Sequence, residues 1–134
     1  MNAALRALVR KRAGRRCEYC RLHEGDADFL TFPIDHVVAK QHGGVDDPDT
    51  LCLACPECNR AKGPNLAGLE GGKLSPLFNP RKQNWKRHFR WDHTILVGKT
   101  HSGKATVQVL RINQPSRVML RENLFFEGRF PSDE

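Results

Sequence analysis

The sequence lacks any apolar run of about eighteen residues, so no segment is long enough to cross a bilayer as a helix. Its opening, MNAALRALVRKRAGRRC, has no apolar stretch leading to a small-residue cleavage site, which predicts a cytoplasmic protein with no membrane partner. Internal repeats and low-complexity runs are missing too, and 134 residues fit one domain, residues 1–134. An even set of cysteines is also lacking. Five cysteines leave one over in any disulfide framework, and cytosolic thiols are kept reduced, so metal ligation is the better use for four of them.

Acidic residues are absent from two stretches where basic ones collect. The chain carries 22 Lys plus Arg against 15 Asp plus Glu, a net charge of +7. Residues 1–16 hold Arg6, Arg10, Lys11, Arg12, Arg15 and Arg16, and the stretch 81–90 holds Arg81, Lys82, Lys86, Arg87 and Arg90. Aromatics interleave the second block (Phe78, Trp85, Phe89, Trp91), and such a surface attracts a phosphate backbone. A basic solvated face is equally compatible with this charge, so charge alone leaves nucleic-acid binding open.

Leu5, Leu8 and Val9 recur at helical spacing and predict a basic N-terminal helix ending near Gly14. Cys17 to Cys20 makes a tight knuckle, and FLTFPIDHVV reads as a strand that Pro33 assigns to an edge or bulge. AKQHGGVDDPDT is a long turn-rich loop, and LCLA is the returning strand. PECNRAKGPNLAG suits a helix with Pro56 in its first turn and Gly63-Pro64 at its end. Beyond Gly71-Gly72 the chain changes character: WDHTILVG reads as a short strand, ATVQVLRI as strand or helix, RVMLRENLFF as a terminal helix and EGRFPSDE as a frayed tail.

Two CxxC pairs, Cys17/Cys20 and Cys55/Cys58, supply the four thiolates that tetrahedral Zn²⁺ prefers. Their separation along the chain exceeds the roughly 15–20 residues of a zinc ribbon, so the intervening loop holds more than a ribbon turn. Cys52 reads as a core thiol of the second strand rather than a fifth ligand.

IDHVVAKQHGG followed by DTLCLACPECNRAKG resembles the HNH endonuclease family in its four-cysteine branch, as found in small standalone bacterial and phage proteins. The resemblance runs from about Arg15 to about Asn113. It implies an α+β fold: a ββα-metal core over about residues 15–66 with a structural zinc knot, an N-terminal helix, and a C-terminal mixed extension over about residues 73–126. It also implies that Asp35 and Asn59 hold a catalytic Mg²⁺ or Mn²⁺ and that His36 is the general base. The family's middle position, usually Asn, is Thr50 here; its backbone carbonyl is expected to receive the imidazole N–H and orient the base. Lys62, three residues beyond Asn59 on the same helix face, is a candidate phosphate contact, with His42 reading as a solvated loop histidine. Lys82, Lys86 and Arg87 are the expected nucleic-acid contacts, whereas Trp85, Phe89 and Trp91 are expected to pack the extension onto the core.

The implied activity is phosphodiester hydrolysis in nucleic acid, with DNA as the expected partner and nicking as the natural outcome for a monomer or weak dimer. Two alternatives use fewer of these residues. A non-catalytic zinc-knuckle module for nucleic acid needs the cysteines and basic blocks but not Asp35, His36 or Asn59, and a protein-interaction adaptor needs neither basic block.

Overall fold

The computed structural model describes residues 1–27 and 31–131. Helix α1 (Ala3–Arg12) opens on Asn2, whose side chain accepts the Leu5 N–H at 2.8 Å, and gives way to Gly14 in the left-handed region. Its basic residues partly face inward. Arg12 donates to the carbonyls of Pro48 (2.7 Å) and Leu51 (2.8 Å), and Arg10 pairs with Glu24 at 2.6 Å.

Strands β1 (Ile34–His36) and β2 (Leu51–Leu53) pair antiparallel, with Asp35 opposite Cys52 and His36 opposite Leu51. The strand expected over FLTFPIDHVV is shorter than the run, because the ladder begins only after Pro33, which has no N–H to give it. Phe29 and Leu30 of that run lie outside the described residues, as do the last three residues of the expected tail. Helix α2 (Pro56–Lys62) is capped by Cys55, has Pro56 in its first turn and ends at Gly63, as the sequence predicts. Strand, strand and helix follow in that order, within a mixture of helices and strands.

The extension holds more turns than its sequence suggests. Gly71 and Gly72, both at positive φ, close a hairpin between β3 (Ala67–Glu70) and β4 (Lys73–Pro76). WDHTILVG, expected as one strand, reverses at His93 (φ 55°), so that β5 (Phe89–Asp92), which follows the short helix α3 (Trp85–His88), pairs with β6 (Ile95–Gly98). The ambiguous ATVQVLRI lies largely in helix α4 (His101–Val109), started by Thr100, whose hydroxyl accepts the Gly103 N–H at 3.0 Å. A Cβ at Gly103 would lie 2.2 Å from the His88 carbonyl oxygen at the end of α3 and 3.2 Å from the Gly98 Cα in β6, so glycine lets α4 meet both. Helix α5 (Pro115–Phe126) is the terminal helix.

Among the described residues the strands form three two-stranded sheets, and one core cluster takes in Tyr19, Phe32, Leu51 and Leu53 from the first half together with Phe78, Trp85, Phe89 and Leu96 from the extension. Trp85 joins the halves directly. Its indole N–H donates to the Tyr19 carbonyl at 2.8 Å, and its ring lies 5.2 Å from Phe89 and 6.0 Å from Trp91, the packing role expected of these aromatics.

Candidate active site and metal centre

Two knuckles converge. The Cys20 N–H donates to the Cys17 sulfur at 3.4 Å and the Cys58 N–H to the Cys55 sulfur at 3.3 Å, so each CxxC turn aims its sulfurs in the same way. The sulfurs of Cys17, Cys20, Cys55 and Cys58 all lie within 4.8 Å of one another, and all four residues are buried. Cys20 and Cys55 are 3.7 Å apart, close to the roughly 3.8 Å between ligands of a tetrahedron with Zn–S bonds of about 2.3 Å. Burial pushes the Cys17 and Cys58 thiols up, while hydrogen bonds from Cys17, Cys55 and Cys58 bring Cys20 down. A buried set of this kind becomes four thiolates only around a cation, and its donors fit a metal ion such as zinc.

Arg117 of α5 reaches this cluster from the far side. Its guanidinium donates to the Cys58 sulfur at 2.9 Å, lies 3.8 Å from the Cys55 sulfur and also holds the Leu110 carbonyl at 2.7 Å. Cys52 stands apart from the four, buried in β2.

Next to the cluster lies a carboxylate with its own cation. Asp35 is 5% exposed; it accepts the Tyr19 hydroxyl at 2.9 Å and has the Cys52 sulfur at 3.7 Å. The Lys62 ammonium sits 3.3 Å from Oδ1 and 3.2 Å from Oδ2, and also donates to the His36 carbonyl at 3.1 Å. Lys62, the expected phosphate contact, is itself only 2% exposed and pairs with Asp35: a buried carboxylate needs a partner, and this lysine is that partner. Burial, then the charges of Cys52 and Asp35, push the Tyr19 phenol up, so it stays a donor; burial and the Asp35 charge do the same for the Cys52 thiol.

His36 faces the other way, as the neighbour of Asp35 on a strand must. Its Nε2 lies 2.7 Å from Asp46 Oδ1, and this hydrogen bond holds the Asp46 carboxyl below the usual carboxylate range. Asp46 also meets the chain's amino terminus at 3.4 Å and Lys40 at 3.8 Å. Thr50 does not make the expected imidazole contact. Its carbonyl accepts the Val37 N–H at 2.9 Å, as β pairing requires, and its hydroxyl donates to the Val45 and Asp47 carbonyls at 2.8 and 3.0 Å, bracing the loop that carries Asp46. His42 is exposed in that loop, as expected.

Cys55, Cys58, Asn59 and Lys62 recur at i, i+3, i+4 and i+7, one stripe of α2 and its cap. Asn59 is half-buried between the two centres on this stripe. Beside them a cleft of about 320 Å³ is lined by Val37, Val38, Lys62, Leu66, Phe78 and Lys82, among others. Lys82, Lys86 and Arg87 are exposed, whereas Arg81 turns inward to Glu18.

Sequence reasoning missed three residues here. Tyr19 is the chain's one tyrosine and sits inside the first CxxC, a usable signal; Asp46 is one of three aspartates in VDDPD, and Arg117 one of many arginines.

In a comparison with known proteins, residues 17–65, from the first knuckle to just past α2, match the model of the HNH endonuclease family. This agrees with the resemblance carried by the cysteine pairs, Asp35-His36 and Asn59. The chain is also similar to Septu protein PtuB of Bacillus thuringiensis, with 28% identity over 109 residues, covering 80% of this chain and 40% of that protein. It therefore spans less than half the length of this curated relative. No solved structure matches. Among the described residues, no helix is long and apolar enough to cross a membrane.

Proposed function

We propose that the chain is a metal-dependent endonuclease that hydrolyses phosphodiester bonds in nucleic acid and nicks DNA. His36 is the general base, and Asp35 and Asn59 are ligands of a Mg²⁺ or Mn²⁺ ion. Residues 1–134 act as one nuclease unit, with β1, β2 and α2 as a ββα-metal core and Zn²⁺ as the structural ion of the four cysteines.

The observation that carries this reading is the 2.7 Å contact between His36 Nε2 and Asp46. A carboxylate at Nε2 favours the tautomer protonated there, which leaves Nδ1 with a lone pair able to take a proton from water. Asp46 thus does for the imidazole what the Thr50 carbonyl was expected to do. Asp35 and Asn59 together offer one carboxylate and one amide oxygen, the small protein share with which a hard cation is held when water and substrate phosphate complete its shell. Lys62 already neutralises Asp35, so a divalent ion there must share or displace that ammonium. When bound, the ion supplies charge neutralisation at the phosphoryl oxygens and help for the departing oxygen. Lys82, Lys86 and Arg87 bind flanking phosphates.

A second reading follows from the same ion pair. With Asp35 closed on Lys62, the chain is a zinc-knuckle binding module that does not cut. A supercoiled-plasmid nicking assay with and without Mg²⁺ or Mn²⁺ separates the two: the nuclease reading expects nicked circles only with the ion, and none with His36→Ala. No nicking under any of these conditions leaves the binding module.

A further inference from the structure

We infer that the cleft next to the end of β1 seats one unpaired nucleobase of the bound strand and prefers guanine to adenine, an inference that rests on the nucleic-acid binding in the proposed function and not on cleavage. The cleft adjoins the end of β1, since Val37 and Val38 follow His36 directly and line it. Val38, Leu66 and Phe78 give it an apolar lining, and its volume of about 320 Å³ is that of a small-ligand pocket. A paired base keeps its faces in the stack and cannot enter such a cleft; an unpaired one can.

The polar lining gives the base preference. Asn79 and Gln83 both line the cleft, and the amide oxygen of each is held by a backbone N–H: Gln83 Oε1 by Asn79 at 2.8 Å, and Asn79 Oδ1 by Arg81 at 2.9 Å. These contacts assign both amide orientations and leave each NH₂ as the group offered to a ligand. The loop is closed on itself as well, since the Asn79 carbonyl accepts the Lys82 and Gln83 N–H groups at 3.2 and 2.9 Å, so the donors are organised in advance. Guanine presents two adjacent acceptors, O6 and N7; adenine presents N7 beside an amino donor. Two donors satisfy the first edge and oppose the second. Lys82, on the same cleft, adds a cation for the attached phosphate.

The test is equilibrium binding, read by fluorescence anisotropy, of the full chain to short oligothymidylates with one central dG or dA, in EDTA so that no cleavage is needed. The expected result is about tenfold tighter binding of the dG strand. Asn79→Asp and Gln83→Glu each keep the oxygen that accepts the backbone N–H but remove the NH₂. Each should bring the dG:dA ratio towards one, while the added charge weakens every sequence alike. The ratio should persist in the ribonucleotide versions, because the base is what is read, and vanish when the strand is annealed to its complement. Equal binding of dG and dA by the unaltered chain, a ratio unchanged in both variants, or an equal preference in the duplex overturns the inference. The ratio is read without cutting, so absence of nicking with the ratio intact removes the nuclease reading and not the base pocket.

Discussion

The two ends of one stripe on α2 make an instructive pair. At its N-terminal end Cys55 and Cys58 meet Cys17 and Cys20 in a buried set of sulfurs whose spacing fits a tetrahedral ion. At its C-terminal end Lys62 meets Asp35, so the carboxylate already has a cation from its own chain. Thiolates packed this closely need a foreign ion. A carboxylate and an ammonium neutralise each other and can exchange partners. One helix face therefore presents a cluster of sulfurs that could hold a metal and, at its other end, a buried ion pair already neutral within the chain.

The harshest way to break this contrast is Cys58→Ser, which is expected to give unfolded or insoluble chain without zinc, while Cys52→Ser keeps its full zinc content; metal analysis and circular dichroism of the two proteins decide it. His36→Ala should leave fold and zinc intact and lower cleavage by roughly 10²- to 10⁴-fold, measured as single-turnover nicking. Wild-type cleavage by that variant, in protein free of contaminating nuclease, would end its assignment as base. Lys62→Met strands a buried carboxylate and should destabilise the fold by about 3–5 kcal/mol in urea titrations. Mn²⁺ should then raise the melting temperature of this variant more than that of the wild type; equal shifts would mean that the ion does not bind at Asp35.

A smaller effect is expected at the exposed cations. Replacing Lys82, Lys86 and Arg87 together should weaken nucleic-acid binding and reduce its salt slope by about one for each lost phosphate contact, as measured over a range of KCl concentrations. The smallest effect concerns Asp46, whose carboxyl is depressed chiefly by the hydrogen bond to His36. A depressed folded value means that the contact supports the fold above the unfolded aspartate pKa of ~3.9 and is lost as pH falls below it. The melting-temperature gap between wild type and Asp46→Ala should therefore shrink towards zero as the pH is lowered from 6 to 3.

What could be read from the sequence was whatever short spacing determines. CxxC fixes a knuckle within four residues, Pro56 and Gly63 bracket a helix, and Asp35-His36 divides its side chains between two faces because strands alternate. The helical stripe from Asn59 to Lys62 was also legible, but not that the stripe faces a buried acid. Asp46 was hidden because three aspartates crowd one loop and only tertiary closure selects the one beside His36. The extension was harder still: DHT at the tip of β5–β6 carries no Asn-Gly or Asp-Gly signal, so one strand was expected where two pair. Arg117 was invisible because the sulfur it meets lies fifty-nine positions away.

The guanidinium of Arg117 on the Cys58 sulfur ties the last helix to the knuckles, while Trp85 ties the middle of the extension to Tyr19. Among the described residues none of the three small sheets extends into another, and these ties act beside the Arg81–Glu18 pair and the shared core. Disturbing the four-cysteine cluster would therefore reach segments from both halves at once, since Arg117 of α5 and the knuckle that carries Tyr19 both meet it.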